Sequence, residues 1–266
     1  MTAARPESQD GWDCHVHVFE AGVSTRAGHY APAPAPLTAI EALAAECGIA
    51  HLVLVQPSVY GTDNSVLEGA LNQARGRHRG VAVLDADVDD ATLDRLAAAG
   101  VRGVRYNLVS PVGNPPTGLL SLAPRLRDRG WHVQWYAEHA QLHHIAELQA
   151  QCGLTFVLDH LAGLRADAPV PPGSWRALQM LADAGAWVKL SGWYRLGASA
   201  PYHDLVATIQ RVGAIFGERL VWGSDWPHTS LPATPRSRLP SLLAPVREAL
   251  GEAALARVLG ASDLYK

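Results

Sequence analysis

The sequence predicts a single-domain α/β protein folded as a (β/α)8 TIM barrel, and three observations carry that reading. Short apolar runs alternate with helix-like segments along the chain, the pattern of parallel strands joined by crossover helices. Eight such runs can be counted, the number that closes a sheet into a barrel. Each run gives way at its carboxyl end to polar residues, where a barrel builds its active site.

Taken in order, the strands are expected at residues 12–18, 51–56, 80–84, 101–106, 132–136, 155–159, 187–191 and 220–223. The helices after the first two strands should open with capping boxes, because Thr38 and Ser65 are each followed three residues later by a glutamate, Glu41 and Glu68. The segments from Ala91, Thr117 and His139 should stop at Gly100, Gly130 and Gly153, since glycine suits a left-handed helix terminus. The stretch YAPAPAP, Tyr30 to Pro36, cannot be a central strand because proline has no N–H to give the ladder. It is read as a loop, as are residues 166–173, with three prolines, and 231–240. Residues 1–10 are read as a flexible tail and 11–266 as the barrel. A doubly wound open sheet is disfavoured: Gln56-Pro57-Ser58 follows the second strand and offers no glycine-rich phosphate cradle.

Composition narrows the function. Against 25 acidic residues stand 22 basic ones, a formal net charge of −3, so no basic field invites nucleic acid. Neither a membrane span nor a signal peptide is expected at the polar N-terminus. Cys14, Cys47 and Cys152 match no metal or redox spacing and fit a reducing, cytoplasmic setting. A monomer and a homodimer are both compatible with the sequence.

If the barrel closes, the polar strand ends converge on one mouth. His15 and His17 share one face of the first strand, because side chains alternate with a period of two, and can grip a metal ion or a substrate oxygen. Two hydrogen-bonded structural histidines are the plain alternative. Asp225, in VWGSDWPH, is a candidate general base, or else a turn cap. His160, in FVLDH, can polarise a carbonyl or orient water, or bond a loop carbonyl. Arg105 and Arg195 carry forks that suit a carboxylate or sulfonate, unless each is ion-paired within the fold. Ser58, Tyr60 and Asn107 add neutral donors. Cys14 points away from the histidine pair and reads as core, while the face of Lys189 is left open.

These residues resemble the amidohydrolase superfamily, in its amidohydrolase-related branch. The resemblance rests on His15-x-His17, VQPSVYGTDN (55–64), RGVAVLD (79–85), GVRYN (103–107), VLDHLAG (157–163) and WGSDWPH (222–228). Within the branch they look like 2-pyrone-4,6-dicarboxylate lactonase and its relatives, sulfomuconolactone hydrolases and galactarolactone isomerase. The resemblance implies hydrolysis of a small acidic lactone, a carboxylic ester bond, in aromatic-compound catabolism. It gives Asp225 the water, His160 the carbonyl, His15 and His17 a place beside the ester, and Arg105 an acid group of the substrate. Lactone isomerisation of the galactarolactone type is the alternative, followed by metal-dependent decarboxylation. A barrel that merely binds anions ranks last.

Metal-binding members of the branch carry a ligand histidine at the end of the fifth strand, where this chain has Trp135-Tyr136-Ala137. A neutral phenol is a poor zinc ligand but a good donor to a lactone carbonyl, so a site working without metal is expected. The alternative is one divalent ion, zinc or manganese, on His15, His17 and Asp225 with a position open for water. After the fourth strand the chain reads NLVSPVG, without the further arginine of the dicarboxylate enzyme. That favours a substrate with one fewer anion, or with a differently shaped sulfonate.

Overall fold

In a computed structural model, residues 10–27, 30–229, 239–260 and 263–265 are described. Eight parallel strands stand in sequence order: β1 Gly11–Val16, β2 Ile49–Val55, β3 Arg79–Ala82, β4 Val101–Asn107, β5 His132–Tyr136, β6 Phe156–Leu158, β7 Trp187–Leu190 and β8 Leu220–Trp222. Around them lie α1 Leu37–Glu46, α2 Ser65–Ala74, α3 Asp90–Ala99, α4 Leu119–Asp128, α5 Leu142–Cys152, α6 Pro172–Asp183, α7 Val206–Phe216 and α8 Leu239–Gly260. This is the (β/α)8 architecture expected from the alternating apolar runs. No helix among the described residues is long and apolar enough to cross a membrane. Residues 1–9 of the proposed tail and most of the 231–240 loop lie outside the described residues, while Leu239 and Pro240 belong to α8.

Alternation along the strands sorts the core. Leu52, Leu54, Trp135, Phe156, Leu158 and Leu190 pack outward with the helices, whereas Gln134, Lys189 and Arg105 sit between them and turn inward. Each helix answers with one apolar stripe; in α7 it is Ile209, Val212 and Phe216, spaced three and four apart. A second apolar cluster of Trp12, Cys14, Val53, Val55, Val81, Val221 and Tyr265 fills the floor. Cys14 is therefore core, as its placement suggested, and Lys189 faces inward.

The helix stops at Gly100 and Gly153 adopt the left-handed conformation, and Gly130 follows α4 in the same region. The two capping boxes do not form. Pro36 and Asn64 are the N-caps of α1 and α2, so Thr38 and Ser65 already lie inside the first turn, where a hydroxyl cannot cap. The cap of α3 is Asp89, accepting from the Thr92 amide at 2.8 Å, and the capping box found is Glu138 with Gln141.

The seam between β1 and β8 positions the site. Past the end of β8, the Asp225 amide donates to the His15 carbonyl at 2.9 Å, and the His17 amide to the Trp226 carbonyl at 2.8 Å. Asp13, fully buried, accepts from the Ser224 amide at 2.9 Å and the His15 amide at 3.2 Å. Gly223 has to be glycine here, because a Cβ would meet the backbone and Cβ of His15. The first and last strands thus meet at the mouth, through the residues singled out for chemistry.

Candidate active site

At the carboxyl ends of the strands lies a cavity of about 290 Å³ lined by His17, Tyr30, Ser58, Arg105, Asn107, Tyr136, Arg195 and Thr229, with Pro57, Val109, Ser110 and Pro111. Behind its lining residues His17 and Arg195, both in contact with Asp225, lies a layer of fully buried groups: His15, His160 and Asp225. Asp225 Oδ1 is 3.7 Å from His15 Nε2, 3.6 Å from His17 Nε2 and 3.9 Å from His160 Nε2. The strand-end histidines and the aspartate therefore converge.

The other ring nitrogens fix which way these imidazoles face. His17 Nδ1 lies 2.7 Å from the Val55 carbonyl, which only accepts, so Nδ1 carries the proton. His15 Nδ1 is 3.3 Å from Asp159 Oδ1, with the same consequence. His160 Nδ1 pairs with the Ser191 hydroxyl at 2.9 Å. Burial holds all three histidines below the ordinary imidazole pKa, His160 at about 4, and so neutral. His15 and His17 accordingly present bare Nε2 lone pairs to a carboxylate oxygen.

Asp225 Oδ2 is doubly held, by the Tyr194 hydroxyl and Arg195 Nε, both at 2.6 Å. Burial raises its pKa, but the Arg195 guanidinium more than offsets this and holds it well below the usual carboxylate range. Backbone strain concentrates here. Asp225, His228 and the run His160, Leu161, Ala162 all have φ between 49° and 64° without being glycine. Each such residue costs on the order of 1 kcal/mol, which the surrounding contacts must offset. Gly192 makes room for the His160 ring, since a Cβ there would strike its Nδ1.

These facts correct the expectation of a site without metal. His15, His160 and Asp225 each offer a ligand atom, all within 4.8 Å of one another and buried. His15 Nε2, His160 Nε2 and Asp225 Oδ1 have no hydrogen-bond partner. Two nitrogens and a carboxylate oxygen, desolvated and facing each other, form an electron-rich pocket that suits a divalent cation. The compact group includes His160 where the sequence reading placed His17. Counting a poor ligand at Tyr136 overlooked the nitrogen left unpaired one strand away.

The remaining residues divide. Arg105 lines the cavity while its Nε lies 3.5 Å from Asp159 Oδ2. Arg195 lines it too, its fork shared between Asp225 and Thr229 Oγ1 at 3.2 Å. The Asn107 amide donates to Ser58 Oγ at 2.7 Å, tying the segment after β2 to the end of β4 at the cavity wall. The Tyr136 phenol bonds Arg195 and its ring meets His160 edge-on at 4.7 Å. Tyr60 is not brought to the cavity: its hydroxyl takes the Glu20 amide at 3.3 Å and its ring packs on Phe19. Asp85 and Glu138, two other polar strand ends, are exposed outside it. Sequence reasoning passed over Tyr194 and Tyr30. Tyr194 was legible only as the neighbour of Arg195, and Tyr30 sat in a loop read for its prolines.

Three relatives share this framework. The chain is 32% identical to a 2-pyrone-4,6-dicarboxylate hydrolase of Comamonas testosteroni, over 82% of its own length and 77% of that protein's. It is 32% identical to a 4-sulfomuconolactone hydrolase of Rhizobium radiobacter, over 82% and 76%. A crystal structure of a probable 2-pyrone-4,6-dicarboxylic acid hydrolase from Acinetobacter baumannii with citric acid bound superposes with a TM-score of 0.84 at 26% identity, covering 96% of this chain and 99% of that one. Residues 12–261 match the amidohydrolase family, and with the converging histidines and aspartate at the mouth of a (β/α)8 barrel the chain belongs to it.

Proposed function

We propose that this protein hydrolyses a small acidic lactone of the sulfomuconolactone or pyrone-carboxylate kind. The observation that carries the reading is the stacking of two features: a cavity bearing Arg105, directly above three imidazoles aimed at Asp225 Oδ1. A cationic fork docks an acid group, and a buried carboxylate beneath it takes the proton of the water that attacks the reacting carbon.

Arg105, backed by the Ser58 and Asn107 pair, holds the acid group and orients the ring. The Tyr136 phenol, which receives a hydrogen bond from Arg195, keeps its own proton to donate to the lactone carbonyl. Water adds to the carbonyl carbon while Asp225, anionic throughout the working range, accepts its proton. The ring carbon–oxygen bond then breaks and the same proton passes to the departing oxygen, leaving an open-chain acid. His15, His160 and Asp225 are the residues that would hold a divalent cation, and when bound it would polarise the carbonyl and acidify the attacking water. The three unpaired cysteines agree with a cytoplasmic enzyme.

The test offers purified protein muconolactone, sulfomuconolactone, 2-pyrone-4,6-dicarboxylate and galactarolactone, with products resolved by NMR. Open-chain acid should accumulate from at least one of the first three. A rearranged lactone, carbon dioxide, or no turnover would each defeat the proposal. Arg105→Met should raise KM about 10- to 100-fold, the worth of one charge-assisted contact, with a smaller change in kcat.

A further inference from the structure

Asp159 enters no step above, yet among the described residues four side chains reach its carboxylate. It is fully buried at the end of β6. Its Oδ1 lies 3.3 Å from His15 Nδ1 and 3.7 Å from Lys189 Nζ. Its Oδ2 accepts from Gln134 Nε2 at 2.9 Å and lies 3.5 Å from Arg105 Nε. Gln134 cannot rotate away, because its Oε1 is taken by Lys189 at 2.6 Å, and Lys189 is anchored in turn on the Cys14 carbonyl at 2.7 Å. One oxygen therefore faces the imidazole at the reacting end, and the other faces the guanidinium at the docking end.

We propose that Asp159 is a positioning residue that divides its charge between Arg105 and His15, so that docking of an acid group and alignment of the imidazole are set together. The part about docking rests on the lactone reading above, which makes Arg105 the acid binder. The contacts to Arg105 and His15 are both longer than a well-formed hydrogen bond, and Arg105 Nε, His15 Nδ1 and Asp159 Oδ1 have no close partner. The carboxylate is thus shared between two loosely held claimants. An acid group on Arg105 neutralises that cation, and more of the Asp159 field then falls on the Nδ1–H of His15. A firmer Nδ1 contact orients the ring and makes Nε2 a better ligand. Lys189 sets the starting balance by drawing on the same carboxylate from below.

The test uses Asp159→Asn and Lys189→Met in the full chain, with citrate as the anionic probe and zinc as the metal probe. Citrate binding is read by calorimetry, zinc affinity by competition with a chromogenic chelator, and folding by thermal melting. In Asp159→Asn, Arg105 is released, so citrate should bind about 3- to 10-fold tighter even as zinc binding weakens about 10- to 100-fold and kcat falls by a similar factor. In Lys189→Met the carboxylate turns more fully to its other partners, so citrate should bind about 3- to 10-fold more weakly while zinc binding is no weaker than in the parent. A merely structural role would weaken both ligands together, in step with the melting temperature. Citrate that binds no tighter to Asp159→Asn, or zinc affinity there within twofold of the parent, overturns the proposal. If Asp159→Asn does not fold, Lys189→Met decides, and an unchanged citrate affinity overturns it. Absence of lactone turnover in the parent protein would defeat the functional reading alone, because citrate and zinc binding need no turnover.

Discussion

The two ends of this barrel both bury polar groups, and they treat them differently. At the floor, Trp12 stacks on His51 at 4.6 Å and on Tyr265 at 6.2 Å, and His132 meets Tyr265 edge-on at 5.3 Å. Among the described residues the His132 nitrogens and the Tyr265 hydroxyl have no well-formed hydrogen bond, and these polar atoms do not converge on one another but lie among aromatic rings, with the Lys189 ammonium 5.8 Å from the Tyr265 ring. At the mouth, the unpartnered nitrogens of His15 and His160 face the unpartnered oxygen of Asp225. An unsatisfied polar atom is thus informative about chemistry when several converge on one point. Scattered among aromatic rings, it reports only a cost in stability.

The contrast can be broken from either end. The largest effect is expected from Asp225→Asn, which should cut kcat/KM about 10^4-fold, the upper range for loss of a positioned base. A loss below tenfold on a lactone that the parent hydrolyses would remove Asp225 from the mechanism. At the floor, Trp12→Ala should cost about 3–5 kcal/mol of stability in denaturant titrations, as large aromatic truncations do, yet leave kcat/KM within about threefold. A much larger kinetic loss would erase the division between the two ends.

Much of this division was legible in the sequence. The eight apolar runs marked the strands because inward and outward faces are both buried, and the polar residues that ended them marked the mouth. His15, His17, Arg105, Tyr136, His160 and Asp225 all lie in or directly beneath one cavity. What stayed hidden depends on distances across the barrel. The pairing of His15 with His17 is visible as a two-residue spacing, but the compact grouping of His15 with His160 is not, since β1 and β6 lie far apart in sequence. Tyr60 shows the converse: Pro57 and Ser58 of the same motif line the cavity, yet the loop turns the Tyr60 hydroxyl to the Glu20 amide. Asp159 looked like one polar strand end among many, because only the closed barrel surrounds it with Gln134, Lys189, Arg105 and His15.

Two smaller effects sharpen the comparison. Stripping the protein with a chelator should lower turnover about 100-fold, with recovery on adding zinc or manganese, as expected if a cation polarises the reacting carbonyl. Full activity in protein shown to be metal-free by mass spectrometry would instead leave the imidazoles acting alone. At the floor, burial first and Lys189 second hold the His132 pKa at about 3. Below about pH 6.5 the unfolded chain then binds a proton that the folded chain refuses, so stability present at neutral pH is lost as pH falls. Between pH 7 and pH 5 the loss should be about 2 kcal/mol, and His132→Leu should abolish that share of it in paired urea titrations. A slope identical in both proteins would show that His132 is not a source of acid sensitivity.

The seam has a consequence for how such an enzyme can change over generations. Because the bonds joining the first strand to the chain after the last one run through His15, His17, Asp225 and Trp226, closure of the cylinder and assembly of the reaction centre are one event. A substitution that loosens this junction is penalised twice, in the yield of folded protein and in the work that protein does. Innovation is therefore directed toward the loops carrying Ser58, Ser110 and Tyr30, where a new substrate can be accommodated without reopening the cylinder.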